Sequence, residues 1–249
     1  MTTLLLHPRF DDDSQLIWQA AVSRGWSVMR AGYDLGLGPD PTLRDDLVLY
    51  GGAEWGASVA AQMGISLLSP PDDWLISAPF AVTKRTSVLF SFGSAAHVAE
   101  RARFPLFAKS LRGESIESRV YHSPSDLPPG TDGVEMIVQS PVVWMREYRT
   151  FVLDGEVRAL SQYADHGELR LLPWRYAHTQ AAATFVRASL PLCENLPRAF
   201  VLDVGELADR DWFDRWAVVE PNPAWCSGLY ACDPDKALDV IAASCGVRT

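Results

Sequence analysis

The 249-residue chain is 48% hydrophobic and 21% charged, a globular composition with apolar side chains enough for one large domain or two modest ones. Its formal net charge of −9, from 31 acids against 22 bases, comes without a Lys/Arg run and argues against nucleic acid as the main partner. Four cysteines with no CxxC pair, a start that is not signal-like and no apolar run near ~18 residues argue against zinc, export and a membrane span, so the expectation is a soluble, cytoplasmic protein.

The first third alternates strand and helix signals. "TLLLH" (3–7) reads as a buried strand, followed by a helix to about Arg24 capped by Asp13 or Ser14, with Ile17, Ala20 and Ala21 facing inward and Gly25 ending it. "WSVMRA" and "DLVLYGG" are further strands, and a helix over 53–63 closed by Gly64 leads to "ISLLSP". "SPPDDWL" (69–75) marks a boundary, and Ser94 is placed to cap a helix over 95–103. "PLFAKS", "SRVYHS" and "EMIVQS" (135–140) are strands, and "REYRTFVLDGEVRALSQY" is a hairpin turning at Asp154-Gly155, the residue pair a type I′ turn needs. A helix from Thr179, paired strands "AFVLDVG" (199–205) and "WAVVEPN" (216–222), and a last helix capped by Asp233 with Pro234 at its first position complete the chain. The fold class expected is an α/β front followed by an antiparallel α+β back.

Alternation along a strand puts Phe200, Leu202 and Val204 on one face and Val201 and Asp203 on the other, and likewise aligns Glu220 with Asn222. If these strands pair, two carboxylates and an amide converge. Such hard oxygen donors suit Mg²⁺, and an acid pair satisfied by arginine or backbone N–H accounts for the same pattern. Glu147 and Arg149 share a face of "EYRTFV"; the arginine can grip an anion with two parallel hydrogen bonds or form a cross-strand ion pair. Lys109, in an apolar strand, needs an anionic partner or a path to water. "GLG" (36–38) lacks the context of a dinucleotide fingerprint, and "YGGAEWG" (50–56) reads as a tight strand-to-helix turn or an anion-binding helix start.

Taken together, "FVLDVG…WAVVEPNPAWCSGLY", "MIVQSPVVWMREYRTFVLDGEV", "FPLFAKS" and "DDWLISAPFAVTKR" resemble the ATP-grasp superfamily over about residues 46–232, in particular small members with a short pre-ATP-grasp domain and mostly unassigned substrates. The resemblance implies a pre-ATP-grasp-like domain over 1–75 and a two-lobed ATP-grasp domain over 76–249. It implies Mg²⁺ on Asp203, Glu220 and Asn222, adenine at Gln139, Ser140 and Val142, phosphates near Lys109 with Lys84 or Arg85, and Arg149 at the reacting phosphate with Glu147 beside it. The implied activity is an ADP-forming, ATP- and Mg-dependent carboxylate–amine ligase working through an acylphosphate on small-molecule or peptide substrates. A phosphotransferase and a non-catalytic nucleotide-binding module are the alternatives. Two positions depart from the pattern: Ser110 stands where proline is expected, and Glu114 where a second basic residue is expected.

Overall fold

The computed structural model describes residues 1–32, 44–91, 103–113, 115–128, 133–173, 177–208 and 215–246. A small parallel sheet comes first, ordered β2-β1-β3, from β1 (Thr3–Leu6), β2 (Ser27–Arg30) and β3 (Leu47–Tyr50). The apolar runs of β1 and β3 are buried throughout, as strands covered on both faces must be. Between them lies α1 (Asp12–Ser23), and α2 (Ala53–Met63) follows β3, ending at Gly64 with φ 63°. The cap of α1 is Asp11, not Asp13 or Ser14. Asp11 accepts from the Ser14 N–H while the Ser14 hydroxyl accepts from the Asp11 N–H, a reciprocal box that satisfies two otherwise orphaned donors. "ISLLSP" contributes one isolated bridge, Leu67 to Cys245.

Two short turns, α3 (Trp74–Ser77) and α4 (Phe80–Thr83), lead into a four-stranded antiparallel sheet ordered β4-β7-β5-β6. Its strands are β4 (Ser87–Ser91), β5 (Leu106–Ser110), β6 (Arg119–Tyr121) and β7 (Glu135–Gln139). Strand β4 has no counterpart in the sequence expectations, because as an edge strand it is largely exposed and shows no clean alternation. The "GLG" stretch, Glu114 and, but for Arg103, the helix expected over 95–103 lie outside the described residues.

The third sheet is five-stranded and antiparallel, ordered β10-β9-β8-β11-β12. Its strands are β8 (Trp144–Leu153), β9 (Glu156–Asp165), β10 (Glu168–Pro173), β11 (Ala199–Leu207) and β12 (Trp216–Asn222). Asp154 and Gly155 turn β8 into β9 with φ 51° and 79°, as a type I′ turn requires. His166 and Gly167 repeat that turn with φ 52° and 81° and add β10, which the sequence reading passes over. Helix α5 (Ala177–Ser189) packs Ala182 and Val186 on the face formed by Val152, Leu160, Phe200, Leu202 and Val204. Helix α6 (Pro234–Ala243), capped by Asp233, covers the opposite face at Phe151 and Val201 and continues into the core of α1, β1 and β3. The last helix therefore joins the parallel sheet to the five-stranded one.

Candidate active site

Antiparallel register across β8, β11 and β12 sets Arg149 opposite Asp203, and Asp203 opposite Glu220. Past Glu220 the partner of Val204 is Val218, so Val219 is an extra, bulged residue beside the carboxylate. The Arg149 guanidinium donates from Nε to Asp203 Oδ1 at 3.0 Å and from Nη2 to Oδ2 at 2.7 Å, a parallel two-bond grip. Asn222 Nδ2 lies 3.2 Å from Asp203 Oδ2 and 3.3 Å from Glu220 Oε1. From the four-stranded sheet, Lys109 Nζ reaches Glu220 Oε2 at 2.5 Å. The anionic partner that a lysine in an apolar strand requires is thus Glu220. One unbroken polar line, Lys109–Glu220–Asn222–Asp203–Arg149, crosses from one sheet to the other.

The cleft between the sheets holds a cavity of about 270 Å³ lined by Lys109, Gln139, Ser140, Val142 and Glu220, five of the residues expected at a nucleotide site. Gln139 donates to the Ser87 hydroxyl at 2.7 Å, and the Ser140 and Thr86 hydroxyls lie 2.8 Å apart, so β4 braces this wall. Lys84 is not among the lining residues; it caps α4 in a left-handed conformation with φ 54°. Arg85 takes the wall position instead. It is buried, donates to the carbonyls of Val218 at 2.6 Å and Val219 at 2.5 Å, and so fastens the bulge next to Glu220. A larger cavity, about 400 Å³ between β9, α5 and the start of α6, contains none of the expected site residues.

Electrostatics differ sharply along the line. Burial pushes the Asp203 carboxyl up against the opposing pull of Arg149. At Glu220 burial also pushes upward, but Lys109 and Asn222 carry the carboxyl below its ordinary value. Glu147 sits on the same side, raised by burial, and accepts from the Tyr163 hydroxyl at 2.9 Å. Burial lowers the Arg85 guanidinium to about 10.

Four residues of this neighbourhood escape a sequence reading. Tyr163 and Tyr230 stack with ring centroids 4.9 Å apart, and Arg149 lies over Tyr230 at 4.4 Å. Gly228 accepts from Arg149 Nη1 at 2.9 Å, and Asp13 accepts from the Leu229 N–H at 2.8 Å. Only the "SGLY" stretch after Asn222 carried a signal; nothing marked Asp13 or Tyr163, which come from distant parts of the chain.

Among the described residues no group of three or more His, Cys, Asp and Glu side chains stands at metal-holding distance. A cation here would rest on Asp203, Glu220 and the Asn222 amide, whose oxygen comes to the carboxylates by a half-turn of the group. Two carboxylates and an amide, completed by water and phosphate, fit Mg²⁺.

The same architecture occurs in several solved structures. It is similar to a RimK-domain ATP-grasp protein from Sphaerobacter thermophilus at 15% identity and TM-score 0.55, over 98% of each chain. It is similar to N5-carboxyaminoimidazole synthase from Aspergillus clavatus, solved with ADP and 5-aminoimidazole ribonucleotide, at 10% identity and TM-score 0.62, over 97% of this chain and 77% of that one. D-alanine–D-alanine ligase from Bacillus anthracis matches at 13% identity and TM-score 0.54, over 98% of this chain and 97% of that one. At such identities the likeness is one of fold, and the fold is that of the ATP-grasp superfamily. No curated protein sequence matches the chain. The sequence model of one ATP-grasp domain family, the second family of its clade, matches residues 83–240, and the chain belongs to that family.

Proposed function

We propose that the protein is an ATP- and Mg-dependent ligase that joins a carboxylate to an amine through an acylphosphate, releasing ADP and phosphate. The observation that carries the reading is the line Lys109–Glu220–Asn222–Asp203–Arg149 at the inner end of the cavity between the two sheets. ATP lies in that cavity with its adenine against the chain at Gln139, Ser140 and Val142. Lys109 and Arg85, both on the cavity wall, supply positive charge on the phosphate side. Asp203, Glu220 and Asn222 hold Mg²⁺, which neutralises charge on the phosphates during transfer. Arg149, held at Asp203, Gly228 and Tyr230, presents fixed donors where negative charge develops on the transferring group. Glu147 orients Tyr163 beside that guanidinium. Residues 1–75 form the pre-ATP-grasp-like part and residues 76–249 the ATP-grasp part in this reading, and Lys84 has no place at the phosphates.

Glu220→Gln is the sharpest test. Its side chain keeps 31% exposure, so the loss of charge leaves folding nearly intact while the acid opposite Asp203 is gone. Mg-dependent ADP release by the wild type, lost by a variant that melts within a few degrees of it, is the expected result. A variant with undiminished turnover overturns the metal assignment. A wild type that binds nucleotide tightly but releases no ADP over a panel of acids and amines favours the non-catalytic alternative.

A further inference from the structure

A cavity of about 340 Å³ opens at the carboxyl ends of β1 and β3, lined by residues that include His7, Arg9, Asp13, Tyr50, Gly52 and Gly228. Open α/β sheets collect ligands at this end because the loops there part to leave a crevice. Gly228 belongs to both this cavity and the neighbourhood of Arg149. A Cβ on it would stand 3.1 Å from Asp13 Oδ2 and 3.7 Å from Arg149 Nη1, so the two charged groups approach one glycine together.

The charged groups of the cavity are not equally available. Asp11 spends its Oδ1 on the Ser14 N–H at 2.7 Å in capping α1. Asp13 uses Oδ2 for the Leu229 N–H, which leaves Oδ1 for a ligand. On the opposite sign, Arg30 Nη1 donates to the carbonyls of His7 at 2.8 Å and Arg9 at 2.7 Å and so anchors the loop that carries Arg9. The Arg9 guanidinium itself has no hydrogen-bond or ion-pair partner among the described residues.

We infer that this cavity is the site of the amine substrate, and that the substrate is a small zwitterion whose ammonium meets Asp13 and whose carboxylate meets Arg9. The inference rests on the ligase reading and narrows it. The volume suits a molecule of amino-acid size. In the joining step the ammonium gives a proton to Asp13, and the freed lone pair forms the C–N bond at the acylphosphate carbon. The bond from that carbon to the phosphate oxygen breaks with its electron pair on phosphate, and the second nitrogen proton passes to water. Burial raises the Asp13 carboxyl, which favours it as the acceptor of that proton.

The test uses the full chain loaded with a non-hydrolysable ATP analogue and MgCl₂, with analogue binding measured first by calorimetry. The twenty standard amino acids, D-alanine and β-alanine are then titrated, each beside its carboxamide. At least one free amino acid is expected to bind, weakening by about tenfold or more as its carboxamide, and similarly in Arg9→Gln and in Asp13→Asn. Asn at position 13 keeps an acceptor for the Leu229 N–H. Gly52→Leu serves as a steric control: its φ of −61° and ψ of 149° suit any L residue and no atom lies within 4 Å of its Cβ position, so the fold persists while the cavity fills. Analogue binding without any zwitterion, or zwitterion binding indifferent to all three substitutions, overturns the inference and leaves the nucleotide site standing. A chain that fails to bind the analogue overturns the ligase reading and the inference together.

Discussion

Asp203 is 2% exposed and Arg149 8%, so their paired hydrogen bonds replace water for two charges at once. Removing either partner would strand the other, at a cost of about 3–5 kcal/mol, which makes both poor probes of chemistry alone. Glu220 is the better probe because part of it still reaches water. At the surface, Asp154 offers a cleaner measurement. Arg198 donates to both of its oxygens, at 2.8 and 2.6 Å, and holds its carboxyl below the ordinary carboxylate range. A carboxyl lowered in the folded state contributes stability that is complete above its unfolded pKa and is lost as the pH falls through the folded one. Asp154→Asn keeps a residue that tolerates φ 51°, so the turn survives and only the charge is lost. The variant is expected to be slightly less stable than the wild type at pH 7 by urea titration. The difference should close as both are taken through the acid range. A gap that widened in acid would contradict the sign.

Strand β12 shows how an element is bent to its task. A regular pairing with β11 would run straight past Glu220, but the extra residue Val219 breaks the ladder there and leaves backbone carbonyls to be satisfied elsewhere. Arg85 does this, donating to Val218 and Val219 while lying 5.4 Å from the Trp144 ring. Arg85→Met would leave two carbonyls without their donor in a low-dielectric setting. The expected loss is about 1–3 kcal/mol in stability by denaturant titration, with a larger fall in ATP turnover than in nucleotide affinity as Glu220 shifts. A stable variant with normal turnover would show that β12 holds its bulge unaided. Much of the element list was legible: Asp154-Gly155 because a type I′ turn is a two-residue demand, α2 and α6 because caps and stops are local. Strand β4 was not, since an exposed edge has no periodicity to read, nor was β10, whose turn begins with a histidine.

At the scale of the molecule, α6 is the link. Ala237, Leu238, Val240 and Ile241 are buried against Leu4, Leu6, Ile17, Val48 and Tyr50 on one side and Phe151 and Val201 on the other. A fragment of residues 1–75 lacks that helix, and much of its apolar surface would face water. It is expected to be unfolded by far-ultraviolet circular dichroism, whereas the full chain melts in one transition; a folded fragment would show that the parallel sheet is self-sufficient. Local chemistry along the chain was enough to establish which strands exist around the site and which face each functional side chain takes, because period-two alternation and turn geometry act over a few residues. It also carried the signature shared with the family, through Asp203, Glu220 and Asn222. Three-dimensional packing was needed to bring Lys109 to Glu220 across 111 residues, to send Arg85 rather than Lys84 into the cleft, and to rest Asp13 beside Gly228. Those meetings depend on how three sheets and one shared helix pack, and no local propensity encodes a distance between sheets.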